Sequence, residues 1–407
     1  MTVLAAPLSV KQVPIDDLHP DPANPRRISD EELESLTRSM RRYGLVQPIV
    51  VRKEDSTVIG GHQRLVAARR LGMDEVPVTY VDISEEDAHL LNLALNRISG
   101  DWDEELLARL LADLGDAVDL SLSGFGDGEL KDLLRSMEAR EKRDQPESFD
   151  LDEALEAAKQ PRTKPGDLWL LGEHRLLCGD ATKPEDVTRV LEGRQADLCV
   201  TDPPYNVAIG DHGGQGRQQR KRRIANDALP DEEWEAFVRG FTTTILACVD
   251  GAIYVCMSSK EWPLLTRVLL EEGGHWSDTL IWRKDRFVLG RADYQRAYEP
   301  IWYGWRDGVK RVWKGGRDQD DVWDIARPSE SPLHPTTKPL PLIERAIENS
   351  SEPGALVVDP FMGSGSTLIA CERTGRISGG IELDPRYCDV IVARWEAFTG
   401  MTAEQAT

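Results

Sequence analysis

The sequence predicts an α/β protein: a large, mostly parallel sheet with helices on both faces, preceded by a smaller α/β unit and a run of acidic helices. Three observations carry that expectation. From Asp167 onward, short apolar runs alternate with helical patterns, the texture of strands joined by crossover helices. Two of those runs stop abruptly at polar turns, Asp202-Pro203-Pro204-Tyr205 and Asp359-Pro360-Phe361-Met362-Gly363-Ser364-Gly365-Ser366-Thr367. In open α/β sheets, ligands gather beyond strand ends of this kind. A separate alternation of strands and helices fills Val13–Val81.

Composition sets the class. With 407 residues, 40% hydrophobic and 30% charged, the chain can hold two or three globular domains. No apolar run reaches the ~18 residues of a membrane span, and the N-terminus lacks a signal-peptide pattern, so a cytoplasmic protein without membrane contact is expected. The six cysteines form no CxxC pair and the seven histidines no ligand spacing, which predicts small buried thiols and no metal site. A net charge of −21 argues against wholesale coating of nucleic acid and leaves room for a local basic groove.

In chain order, Ser29 and Glu32 make a capping box ahead of Leu33, Leu36, Met40 and Tyr43 at helical spacing, and Gly44 stops that helix. Gln47–Arg52 and Thr57–Ile59 read as strands. Gly60-Gly61-His62-Gln63-Arg64 then opens a helix through Arg70, and Val76–Val81 is a further strand. Helices are expected over Ser84–Asn96, Asp103–Leu114 and Gly128–Met137. Residues 101–141 hold twelve acidic and four basic side chains, a surface that repels phosphate, so they are read as a packing extension and not as a DNA reader. Ala139–Gly166, charged and with three prolines, is the expected linker. The resulting domains are 10–98, 99–140, a linker over 141–166, and 167–400.

Within the last domain, Ala196–Thr201 is a buried strand that two prolines terminate, presenting one carboxylate and one aromatic ring. That pairing suits a flat base bearing an amino group; a strand ending in a stiff turn with an incidental acid is the plain alternative. Gly216–Arg223 packs five basic residues into eight, most simply a basic loop. Arg283–Arg317 carries ten basic and four acidic residues interleaved with Phe287, Tyr294, Tyr298, Trp302, Tyr303, Trp305 and Trp313. Part of that stretch reads as a strand and the rest as a nucleic-acid surface, with 206–230 and 283–333 as the target-recognition regions. Ala355–Val358 runs into the glycine loop, and Glu382 closes the next strand 17 residues beyond Gly365. Strand, glycine turn, helix, strand and acid form a nucleotide-type pocket. Without a third glycine or a Walker lysine, a cofactor lacking phosphates is favoured.

The segments "ISDEELESLTRSMRRYGLVQPIVV", "VIGGHQRLVAARRLG" and "VPVTYVD" resemble the N-terminal domain of the ParB family over about seventy residues. The resemblance implies a nucleoside triphosphate near Gly60, Gly61, His62 and Arg64, although GGHQR stands where that family more often has an acid and an additional arginine. From Pro165 to Thr399, DPPY, HPTTKP, DPFMGSGST and GIELDPRY together resemble the DNA amino-methyltransferases that use S-adenosylmethionine. DPPY precedes the glycine motif, which is the circularly permuted β-class order.

That second resemblance implies a Rossmann-like methyltransferase sheet and double-stranded DNA as partner. It places Asp202, Pro203, Pro204 and Tyr205 at the catalytic site. Asp180, Thr336, Lys338, Asp359, Phe361, Gly363, Gly365, Ser366, Thr367 and Glu382 fall at the cofactor, with Glu382 on the ribose hydroxyls and Lys338 at the methionine end. Adenine is the expected target and the amino group of cytosine the alternative. Protein glutamine methyltransferases carry an Asn-Pro-Pro-Tyr motif but place the glycine motif first. A ParB-like partition or nucleotide-switch protein is the competing class. The enzyme is expected to be a monomer or a homodimer.

Overall fold

The computed structural model describes residues 9–27, 30–96, 101–102, 107, 110, 127–143, 145–147, 149–207, 226–288, 293–326 and 338–406. The expected helix Asp103–Leu114, the basic stretch Gly216–Arg223 and the candidate Thr336 lie wholly or mainly outside those residues. The chain divides into two compact units, Met1–Met137 and Glu138–Thr407.

In the first unit a five-stranded sheet runs in the order Val10–Pro14, Glu75–Val81, Ile49–Arg52, Thr57–Gly60, His19–Pro20. Helices span Asp30–Tyr43, His62–Arg70 and Glu85–Asn96. Alternation along Ile49–Arg52 buries Ile49 and Val51 against Leu18, Val58, Leu65 and Val78. Gly61, at φ +97°, turns the chain from strand into helix; at that angle a side chain would strain the backbone.

In the second unit ten strands form one sheet. Its centre is five parallel strands in the order Val249–Cys256, Ala196–Thr201, Leu356–Asp359, Ile377–Glu382, His174–Cys178. Parallel strands are covered on both faces, which explains the unbroken apolar runs Leu198–Val200 and Leu356–Val358. Antiparallel strands extend both edges: Arg296–Arg306 and Gly274–Val288 on one side, Leu168–Leu171 and Glu404–Gln405 on the other. The strand expected over Thr279–Trp282 is thus much longer, because its pairing with Arg296–Arg306 continues to Val288.

Ala196–Thr201 and Leu356–Asp359 lie side by side, Leu198 opposite Val357 and Cys199 opposite Val358, although far apart in sequence. Their junction is a topological switch point, where two loops leave the sheet in diverging directions and open a crevice.

The expected linker is built into this unit. Asp150 caps the helix Leu151–Ala157, whose Leu151 and Leu155 pack against Val390 of the closing helix Pro385–Thr399. Lys142 bonds Glu372 at 2.6 Å, Glu147 pairs with the buried Arg394, and Arg162 and Thr163 donate backbone N–H groups to Asp389. Charge and prolines suggested a linker; apolar residues at helical spacing and three buried or half-buried polar anchors, Glu372, Asp389 and Arg394, pack it.

The aromatic stretch divides by depth. Trp302 and Tyr303 are buried in the sheet, whereas Tyr294 is 92% exposed and Tyr298 and Trp313 are partly exposed. Five of the six cysteines are buried and none is disulfide-bonded. Among the described residues no group of His, Cys, Asp and Glu could hold a metal, and no helix is long and apolar enough to cross a membrane.

Candidate active site

The two loops meet at the bottom of one cavity of about 770 Å3. Its walls include Asp202, Pro203, Pro204 and Tyr205 from the first loop, and Asp359, Phe361, Gly363, Ser366 and Thr367 from the second. Asp180, Glu382 and Lys338 line it as well. Gly365 stands behind the lining as the cap of the helix Ser366–Thr374, at φ +84° with Ile391 against its α-carbon, so a side chain there would meet both strain and a neighbour.

The polar groups of the second loop are largely committed to holding its shape. Asp359 accepts from Thr201 Oγ1 (2.7 Å), Thr367 Oγ1 (2.6 Å) and the Phe361 amide (3.0 Å). Burial pushes its pKa up to about 6 against the pull of those donors. Arg394 reaches under the loop to the Ser364 carbonyl (2.7 Å) and Ser366 Oγ (3.3 Å). Phe361 is fixed edge-on by Phe241 and Phe237, with ring centroids 5.2 and 5.9 Å away. What the loop offers a ligand is therefore backbone and ring surface, more than carboxylate or hydroxyl.

Glu382 accepts the Gly363 amide (2.8 Å) on one oxygen and the Asp384 amide (2.9 Å) on the other. Burial raises its pKa to about 7, with the two amides opposing. Each carboxylate oxygen has two lone pairs, so two hydroxyl donors can still be received. A buried acid clamped at a strand end beside a glycine loop fits a vicinal diol, and the apolar cavity wall fits an uncharged base. The residues present thus fit S-adenosylmethionine. Asp180, another of the expected cofactor residues, turns its Oδ1 to the Thr182 amide (3.0 Å) and hydroxyl (2.7 Å).

The first loop is braced from the far side by residues the motifs did not single out. Asp227 accepts from the Tyr205 and Val207 amides, both at 3.2 Å, and Asn206 exchanges hydrogen bonds with Leu229 in both directions. Asp202 holds one donor on each oxygen: Tyr205 Oη donates to Oδ1 at 2.6 Å and Lys338 Nζ to Oδ2 at 2.7 Å. Burial raises the pKa of Asp202, opposed by the Lys338 charge beside it. Lys338, expected at the methionine end, places its ammonium on this carboxylate and also 3.1 Å from Glu299. Burial disfavours that ammonium, yet Asp202 and Glu299 outweigh it and hold the charge on.

Glu299 was not legible as a site residue. The strand Arg296–Arg306 runs antiparallel to the central strands, so its beginning, not its end, comes to the cavity. A lone acid, separated by Pro300 from the apolar run Ile301–Tyr303, was the only signal. Glu299 is held by Lys284 and Lys338, and these charges lower its pKa to about 2 in spite of burial.

In the first unit, Arg64 Nη1 donates to the carbonyls of Gln47 (2.9 Å) and Pro48 (3.2 Å). His62 Nε2 accepts the Asp21 amide at 3.3 Å, and burial lowers its pKa to about 4, with Asp21 opposing, so the ring is neutral. Gly60 and Gly61 form the turn before it, and no side chain caps that helix.

Comparison with known proteins adds to this geometry. A DNA methylase model of the N6/N4 type matches residues 196–393, and a ParB N-terminal domain model matches residues 4–97. A model of a ParB-methyltransferase HTH domain matches residues 105–165, a stretch in which charge alone gave no helix-turn-helix. The chain is 24% identical to the type II methyltransferase M.HpaI of Haemophilus parainfluenzae over 250 residues, 55% of this chain and 75% of that protein. It is 29% identical to the putative methylase YubD of Escherichia coli K12 over 221 residues, 52% of this chain and 86% of that one. Among solved structures, the M1.HpyAVI–SAM complex covers 54% of this chain and 98% of its own, at 23% identity and a TM-score of 0.40.

Proposed function

We propose that this DNA amino-methyltransferase, with its ParB-like N-terminal domain, methylates the exocyclic amino group of adenine in double-stranded DNA. The observation that carries the proposal is the adjacency of the two loops: DPPY and the glycine loop leave neighbouring parallel strands and share one cavity. A target base must leave the duplex stack before its amino nitrogen can enter such a crevice.

Bound S-adenosylmethionine supplies an electrophilic methyl group on a sulfonium. The glycine loop, Phe361 and Glu382 would hold it, with Glu382 at the ribose hydroxyls. Tyr205 gives its ring face to the extruded base, worth roughly 1–3 kcal/mol of stacking. Asp202 and the Pro203 carbonyl accept the two amino hydrogens, which aims the nitrogen lone pair at the cofactor side. Pro203 and Pro204 fix those acceptors before the base arrives, so catalysis rests on position and preorganised dipoles. Asp202 favours adenine, and the cytosine amino group is the alternative.

In the ParB-like domain we assign a nucleoside triphosphate to the turn Gly60–Arg64, because the uncapped start of the helix His62–Arg70 leaves amide donors for a phosphate. Titration of the full chain with nucleoside triphosphates, beside an Arg64→Ala variant, tests it; no binding by either removes the assignment.

Base-resolution modification sequencing of DNA from cells expressing the wild type or Asp202→Ala tests the main proposal. Methylated adenine in one sequence context, absent with the variant, is expected. Methylated cytosine amino groups would establish the alternative base.

A further inference from the structure

Both oxygens of Asp202 hold a donor in the structure, one Tyr205 Oη and one Lys338 Nζ. Each oxygen keeps a second lone pair, so an arriving amino group shares the carboxylate with these donors, and a donor that it crowds out needs another acceptor. A buried ammonium or hydroxyl that leaves its partner with nowhere to go incurs a full desolvation penalty. Only a second acceptor within reach makes the exchange inexpensive. Glu299 is that acceptor: its Oε2 lies 3.1 Å from Lys338 Nζ and 3.3 Å from Tyr205 Oη, contacts of the right kind for both donors. Its other oxygen is anchored by Lys284, which keeps the carboxylate charged and in place.

Building on the amino-methyltransferase reading, we infer that Glu299 is a positioning residue that receives Lys338 and the Tyr205 hydroxyl when the target amino group replaces them on Asp202. The geometry requires no large motion. Lys338 and Tyr205 already bridge the two carboxylates, so each moves its main bond from one acceptor to the other. The empty enzyme is thus held with its acceptor covered, and the correct amino group uncovers it. A base with a carbonyl at that position cannot donate to Asp202 and leaves the cover in place, so the exchange also discriminates.

The test uses the full-length enzyme, radiolabelled S-adenosylmethionine and genomic DNA from a host without DNA methyltransferases, with single-turnover rates measured for Glu299→Gln, Glu299→Asp, Lys338→Met and the double variant Glu299→Gln/Lys338→Met. Loss of a charged partner of this kind predicts a rate for Glu299→Gln about 30-fold or more below wild type. Cofactor affinity should stay within about twofold of wild type, since Glu299 lies on the base side of the cavity. Glu299→Asp, which keeps the charge, should recover part of the rate. The decisive reading is non-additivity: with no ammonium to relocate, the double variant is no slower than Lys338→Met alone. A wild-type rate in Glu299→Gln, or losses that multiply in the double variant, would overturn the inference while leaving the methyltransferase reading intact. No methyl incorporation by the wild type would instead overturn the reading on which it rests.

Discussion

Thr201 Oγ1 donates to Asp359 Oδ1 at 2.7 Å, so the last residue of the DPPY strand is bonded to the last residue of the glycine-loop strand. This one hydrogen bond ties the DPPY loop to the glycine loop. Both residues are buried, and Thr367 completes the set from the helix beyond.

Replacing Thr201 by Val keeps the shape and removes the donor. A buried carboxylate left with one partner fewer is expected to cost about 1–3 kcal/mol. Denaturant unfolding should show that loss, and calorimetric titration should show weaker S-adenosylmethionine binding as the loop relaxes. An unchanged midpoint and affinity would mean the bond contributes nothing.

Tyr205 separates two roles. Tyr205→Phe keeps the ring and deletes the hydroxyl bonded to Asp202 and Glu299. Tyr205→Ala deletes both. Only the second should raise KM for DNA, by the roughly 1–3 kcal/mol of one stacked base. Steady-state kinetics on the same DNA distinguish them; equal KM values in the two variants would argue against stacking.

Glu382 predicts a pH dependence. Its folded pKa of about 7 lies above the ordinary carboxylate range because of burial. Between the ordinary value and about 7 the folded chain holds a proton that the unfolded chain does not, so this residue lowers stability as pH rises through that window. A ribose diol binds the ionised form. Cofactor affinity should therefore tighten roughly tenfold from pH 6 to pH 8, and the trend should flatten in Glu382→Gln. Titrations at three pH values across that range check it; a flat wild-type profile would remove the carboxylate from the ribose site.

Arg394 is 1% exposed, paired with Glu147 and bonded to Ser364 in the glycine loop. Arg394→Met leaves Glu147 without its partner and is expected to cost about 3–5 kcal/mol. Thermal unfolding should show a large fall, and Glu147→Gln/Arg394→Met should recover part of it. No change on losing Arg394 would show that the pair does not stabilise the loop.

How much of this was legible beforehand divides along a physical line. Local constraints were visible: the apolar run into two prolines ends a strand wherever it sits, and the glycines after Asp359 make a turn between strand and helix. The alternation from Asp167 onward dictated a parallel sheet, and the order of DPPY and the glycine loop placed both at strand ends. The packed segment after Lys142 was missed because its anchors, Glu372, Asp389 and Arg394, lie more than two hundred residues away. The sequence by itself determined the fold class, the two loops and part of the cavity lining. Only the tertiary structure decided that Glu299, carried to the cavity by the beginning of an antiparallel strand, shares Lys338 with Asp202. Strand periodicity is a property of neighbouring residues. Strand direction in the sheet, and with it which buried charges meet, is fixed only when distant segments pack.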